Sequence, residues 1–164
     1  MHHHYGIKGD SAPELRDVQW LANVEGDLRI EDLSEPIVYL FAFQSWCAGC
    51  HSHGFPTLNA VKEMLESEGS ANEVKFVAVH TVFEGYDENT TDAAMASATR
   101  HGLGDIALGH TQGNPPALMV DYRTGGTPWT VIVGPRPHRR VLFNDFHADA
   151  RKAMTAMQPL INRK

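Results

Sequence analysis

Seven consecutive apolar residues, Ile37-Val38-Tyr39-Leu40-Phe41-Ala42-Phe43, run almost directly into a cysteine pair, Cys47 and Cys50. The run is rich in β-branched and aromatic residues and carries no polar alternation. It reads as a strand buried on both faces, as at the centre of an α/β sheet. Helical spacing follows over residues 47–68, with Leu58, Val61, Met64 and Leu65 on one apolar face. Pro56 is expected to bend this helix or delay its regular start. Gly69 and Ser70 end it. Residues 74–79 then read as a second buried strand. The order strand, helix, strand implies a right-handed unit with parallel strands.

The rest of the chain supports one domain of this class. A length of 164 residues with 42% hydrophobic content is enough for a single core. Residues 1–12 read as tag and tail, with His2, His3 and His4 as the remains of a purification tag. Residues 13–164 read as the domain, opening with a strand or hairpin over 13–35. Thr90, Thr91 and Asp92 suit the cap of a helix over 92–101. A long loop over 102–116 and a short third strand over 117–122 are expected next. A Gly-rich connection over 123–128 leads to a hairpin, with strands at 129–133 and 140–143. A helix over 147–162 closes the chain.

Composition restricts the function classes. The formal net charge of −6 argues against nucleic acid, which needs a basic footprint. Arg136, Arg139 and Arg140 gather near one turn and read as a solvated turn. No apolar run reaches the 18 residues of a membrane span. No cofactor is implied, and a monomer is expected. The compartment is left open: cytoplasmic, or periplasmic if a leader has been removed.

The segment Ser45-Trp46-Cys47-Ala48-Gly49-Cys50-His51 carries the chemistry. A cysteine between a buried strand and a helix start faces free backbone N–H groups and the positive end of the helix dipole. Both favour the thiolate, which is the nucleophile. Cys50 lies one turn inward, placed to attack a mixed disulfide formed by Cys47. Ala48 and Gly49 are small enough for that approach. The same residues match the haem-attachment pattern C-x-x-C-H, which is the alternative reading. That reading suits a small, largely helical chain better than one with strands on both sides of the motif. Zinc is a further alternative, but Cys47, Cys50, His51 and His53 lie too close together at a helix start to surround one metal readily.

Trp46-Cys47-Ala48-Gly49-Cys50, with Gly126-Thr127-Pro128-Trp129 some eighty residues later, resembles the thioredoxin superfamily. Within it the chain is most similar to thioredoxin-like redoxins related to alkyl hydroperoxide reductase and bacterial cytochrome-maturation thiol oxidoreductases. The resemblance covers about residues 13–162. It implies a thioredoxin fold: a central mixed β-sheet flanked by helices. It implies Cys47 and Cys50 as the catalytic dithiol acting on protein or peptide disulfides, with an upstream or downstream redox partner. A thiol peroxidase is a weaker option. The resemblance also implies that Pro128 is cis and faces the dithiol. Thr127 would then leave its backbone open for a substrate strand. Two departures stand out: Ala48-Gly49 replaces Gly-Pro between the cysteines, and Phe41 replaces a buried acid. Both suggest a pair more oxidising than thioredoxin's, which is about −270 mV.

Other residues near the motifs have assigned expectations. Trp46 reads as a substrate platform, and Trp129 as platform or core. His51, if charged, would favour a Cys47 thiolate, with His53 next to it. Glu84 lies on the loop after the second strand, at the edge where α/β sheets hold their sites, and would relay protons to Cys50.

Overall fold

A computed structural model describes residues 5–146 and 148–161. Six strands, β1 (Val18–Ala22), β2 (Ile37–Phe43), β3 (Val74–His80), β4 (Ala107–Thr111), β5 (Trp129–Val133) and β6 (Val141–Phe146), form one mixed sheet in the order β1-β4-β3-β2-β5-β6. Strand β2 is central and pairs in parallel with β3. Strand β4 extends the parallel part, and β1 closes that edge antiparallel to it. On the other side β5 and β6 form the antiparallel hairpin.

The central strand divides its side chains between two cores, as its unbroken apolar run requires. Ile37, Tyr39, Phe41 and Phe43 face α1 (Phe55–Ser67), α2 (Thr91–Arg100) and α4 (Ala150–Ile161). Val38, Leu40 and Ala42 face the opposite side. There Leu15, Leu28, Ile30 and a short helix α3 (Ala117–Asp121) supply the cover through Leu118 and nearby Tyr122. On α1, Leu58, Val61 and Leu65 are buried, while Met64 turns outward at 43% exposure. The Thr90 hydroxyl accepts from Ala93 N–H and caps α2.

Several expectations are corrected. The strand expected over 117–122 is helix α3, because Pro116 supplies an extended cap and the five apolar-rich residues after it coil. The loop expected over 102–116 contains β4. Gly109 lets the β4 backbone pass under Trp20 and Val18 of β1; a β-carbon there would stand 2.5 Å from Val18 Cγ1. Of the strand or hairpin expected over 13–35, the strand is found: β1 pairs with β4. The turn holding Arg136, Arg139 and Arg140 is not simply solvated. Arg139 is buried, and its guanidinium donates to the carbonyls of Leu33, Gly134 and Glu35, tying the hairpin turn to the chain before β2. Residues 5–12 lie along the β6 side of the sheet: Ser11 bridges Arg140, and Tyr5 meets the Trp129 ring edge-on.

Pro56 acts on the helix in a specific way. The turn Cys50–Gly54 is π-helical, and Phe55 N–H reaches back to Cys50 O. Pro56, at the start of α1, has no N–H to give to the preceding turn, so the wider turn absorbs the missing bond. The π turn therefore opens on Cys50, the second cysteine of the pair.

Candidate active site

The site forms where β2 and β3 end. Phe43 and His80 pair at the last register position of the two strands. Beyond them the chain passes through Gln44, Ser45 and Trp46 to Cys47, and helical backbone begins at Ala48. Cys47 is half-buried, Cys50 is fully buried, and both thiols are free. Cys50 N–H donates to Cys47 Sγ at 3.2 Å, and Cys47 Sγ lies 3.6 Å from Thr127 O. The Cys47 sulfur therefore sits between a helix-start N–H and the loop before β5. Burial pushes the Cys50 thiol far above its ordinary range, and its neighbour Cys47 adds to this. The Gln44 backbone and the Thr127 side chain act in the opposite direction.

The Thr127–Pro128 peptide bond is cis. Pro128 is buried against the helix: a β-carbon on Gly54 would stand 2.8 Å from Pro128 Cβ and 2.7 Å from the Phe41 ring. Phe41, where the resemblance expects an acid, instead packs on Phe43 and edge-on against Phe55. Thr127 N–H has no hydrogen-bond partner among the described residues.

The structure brings Cys47, Cys50, Thr127 and Pro128 together and places the other candidates around them. Trp46 is 49% exposed, with its ring against Gly85. Gly85 has φ +57°, and a β-carbon there would stand 2.9 Å from the indole. Trp129 belongs to the core, where its indole N–H donates to Asn144 Oδ1. His51 has partners other than the cysteines at both ring nitrogens. Its Nε2 meets Ser45 O at 2.6 Å, so that nitrogen carries the proton, and its Nδ1 meets His101 Nε2 at 2.8 Å. His53 reaches Ala148 O. Glu84 contacts neither cysteine. Its carboxylate lies 3.5 Å from Gln44 Nε2, which also donates to Thr127 Oγ1 at 3.3 Å.

Three buried polar residues in the site escape sequence reasoning: Gln44, His80 and Asn89. Gln44 links the loop before β5 to the loop after β3, because its Oε1 accepts from Phe83 N–H. Asn89 Oδ1 accepts from Ser45 Oγ at 2.8 Å and from Trp46 N–H at 3.1 Å, and its Nδ2 donates to Glu84 O. His80 Nε2 accepts from Ser45 N–H at 2.9 Å, so its proton is on Nδ1, pointing at His110 Nδ1. Burial first, then the neighbouring His110, push His80 down to about 4, while Asn89 opposes them.

No family model and no curated protein sequence matches the chain. Solved structures do. A thioredoxin-like superfamily protein aligns with TM-score 0.76 and 24% identity over 94% of this chain and 97% of its own. A thiol-disulfide isomerase from Corynebacterium glutamicum aligns with TM-score 0.73 and 28% identity, covering 93% of this chain and 98% of that one. The thioredoxin domain of a thiol-disulfide oxidoreductase from Bacteroides vulgatus aligns with TM-score 0.65 and 13% identity, covering 95% and 99%. The mixed six-stranded sheet with flanking helices is the architecture of these neighbours.

Proposed function

We propose that this thioredoxin-superfamily redoxin is a thiol–disulfide oxidoreductase that exchanges the Cys47/Cys50 dithiol with the disulfide of a protein or peptide. One observation carries the reading: the half-buried Cys47 sulfur receives the Cys50 N–H at 3.2 Å while the Cys50 thiol lies fully buried one turn behind it. The more accessible sulfur, that of Cys47, is the attacking group and the buried one the resolving group.

The exchange balances without any cofactor. Cys47 thiolate attacks one sulfur of the substrate disulfide, forming a mixed disulfide and releasing the first substrate thiolate. Cys50 passes its proton through solvent to the released substrate thiolate and attacks Cys47 Sγ. The Cys47–Cys50 disulfide forms, and the second substrate thiolate leaves. Two electrons pass from protein to substrate, and the reverse sequence oxidises a dithiol. Burial first, and the neighbouring Cys47 after it, hold the proton on the Cys50 thiol, so that proton leaves only in the resolving step.

Features of the rim support a protein or peptide substrate. Thr127, whose carbonyl lies 3.6 Å from Cys47 Sγ, has an N–H without a partner among the described residues, which suits a backbone carbonyl of an extended segment. The exposed face of Trp46 suits an apolar side chain of the same segment. Haem attachment fits poorly: Cys50 is buried, and both His51 ring nitrogens are engaged by Ser45 O and His101. Reduced protein mixed with a peptide disulfide tests the reading. Loss of two protein thiols and gain of an internal Cys47–Cys50 linkage, mapped by mass spectrometry, is expected. Oxidation that leaves Cys47 and Cys50 unlinked overturns it.

A further inference from the structure

We propose that Asn89 and His80 are positioning residues for the dithiol, acting together as a clamp on Ser45 and Trp46. The inference rests on the thiol–disulfide reading above and adds residues that lie outside both recognised motifs.

Ser45 and Trp46 leave the end of β2 and have no strand neighbour to take their N–H groups. Side chains from the β3 side of the sheet take both: His80 Nε2 accepts from Ser45, and Asn89 Oδ1 accepts from Trp46. Asn89 Oδ1 also accepts from the Ser45 hydroxyl at 2.8 Å, and its other amide group holds Glu84 O at 3.0 Å. One carboxamide therefore joins the segment before Cys47 to the loop that carries Gly85, on which Trp46 rests. Both clamp residues are buried, so water is a poor substitute for either acceptor.

The clamp sets geometry that the reaction uses. Cys47 follows Trp46 directly, and its N–H closes back on Gln44 O. Its sulfur must stay against the Cys50 N–H on one side and near the Thr127 carbonyl on the other. Cutting the clamp frees the two residues that fix Cys47 from the amino-terminal side. The sulfur then loses its donor for part of the time, and Trp46 leaves its platform position. His80 does this work only in its neutral form, since a proton on Nε2 removes the acceptor. The groups facing it are His110 from β4, Asn89, Ser45 N–H and the Phe43 ring at 5.0 Å.

Iodoacetamide labelling of the reduced protein, read separately at Cys47 and Cys50, tests the proposal. The sign of the effect distinguishes positioning from loosening. A loosened site exposes Cys50 and speeds labelling at both sulfurs. Loss of positioning slows Cys47 while Cys50 stays protected. Asn89→Ala is expected to slow Cys47 labelling roughly three- to tenfold, the scale of one hydrogen bond's contribution. His80→Leu should act in the same direction, and His80→Gln, which keeps an acceptor for Ser45 N–H, should restore most of the rate. Wild-type labelling rates in Asn89→Ala and His80→Leu would overturn the proposal, as would faster labelling of both sulfurs. Should these variants not fold, hydrogen exchange in the wild-type protein decides. Slow exchange of the Ser45 and Trp46 amides supports the clamp, and exchange at the rate of an unstructured peptide contradicts it. Labelling needs no disulfide substrate. A folded protein that fails to exchange with peptide disulfides therefore counts against the proposed function and leaves this test intact.

Discussion

Gly54 and Pro128 touch so closely that no β-carbon fits between them: one placed on Gly54 would stand 2.8 Å from the proline's Cβ. The π turn that ends at Gly54 thus packs directly against the loop whose Thr127 carbonyl approaches Cys47. The helix that carries the dithiol and the loop that borders it are fitted to each other through a residue without a side chain.

Replacing Gly54 by alanine should therefore displace the 127–128 loop, because the Phe41 ring on the other side is fully buried and cannot yield. A stability loss of about 1–3 kcal/mol is expected, as for an overpacked core. Urea unfolding measures that loss. Turnover of a peptide disulfide should fall further than turnover of a small-molecule disulfide, since only the peptide uses the loop.

Stability should depend on pH through His80. Its folded value of about 4 lies below the ordinary 6.5, so the unfolded chain binds the proton more readily between those limits. Stability is then complete above about pH 6.5 and declines as pH falls toward 4. The full loss is on the order of 3 kcal/mol at 1.36 kcal/mol per unit. His101 and His110 are also lowered by burial and contribute with the same sign. Urea midpoints measured from pH 7.5 to 4 should show the decline, and His80→Gln should flatten it.

Trp46→Ala should raise KM for peptide disulfides several-fold, on the scale of 1–2 kcal/mol for a half-exposed aromatic contact. The indole rests on Gly85 and supports no core cluster, so unfolding midpoints should move little. An unchanged KM would remove Trp46 from the substrate platform.

The reduction potential should lie above the thioredoxin value of about −270 mV. The reduced state gains from the Cys50 N–H on Cys47 Sγ, and Phe41 places no carboxylate beneath the pair. Equilibration in glutathione buffers, with the oxidised fraction quantified, gives the number.

What the sequence discloses and what it hides have distinct physical origins. Strands β2 and β3 are apolar on both faces, so composition alone marks them, and the cysteine pair at the end of β2 marks the site. Strand β4 is hidden because Gly109 and His110 interrupt its apolar run. Gly109 is required there by Val18 first and then the Trp20 ring, contacts about ninety residues away in sequence. Helix α3 is too short for periodicity to separate it from a strand. Gln44, His80 and Asn89 follow no pattern, because their value lies in which backbone groups they meet after folding. One signal was available: His80 ends β3 and Gln44 directly follows β2, polar residues at the sheet edge where sites gather.

The central claim, attack by Cys47 and resolution by Cys50, is tested most directly by trapping. Cys50→Ser protein is incubated with a peptide disulfide, and the products are separated without reductant and mapped by mass spectrometry. A stable mixed disulfide between Cys47 and the peptide is the predicted result, with Cys47→Ser protein forming none. Absence of the Cys47 adduct, or normal peptide turnover by Cys47→Ser protein, would contradict the account.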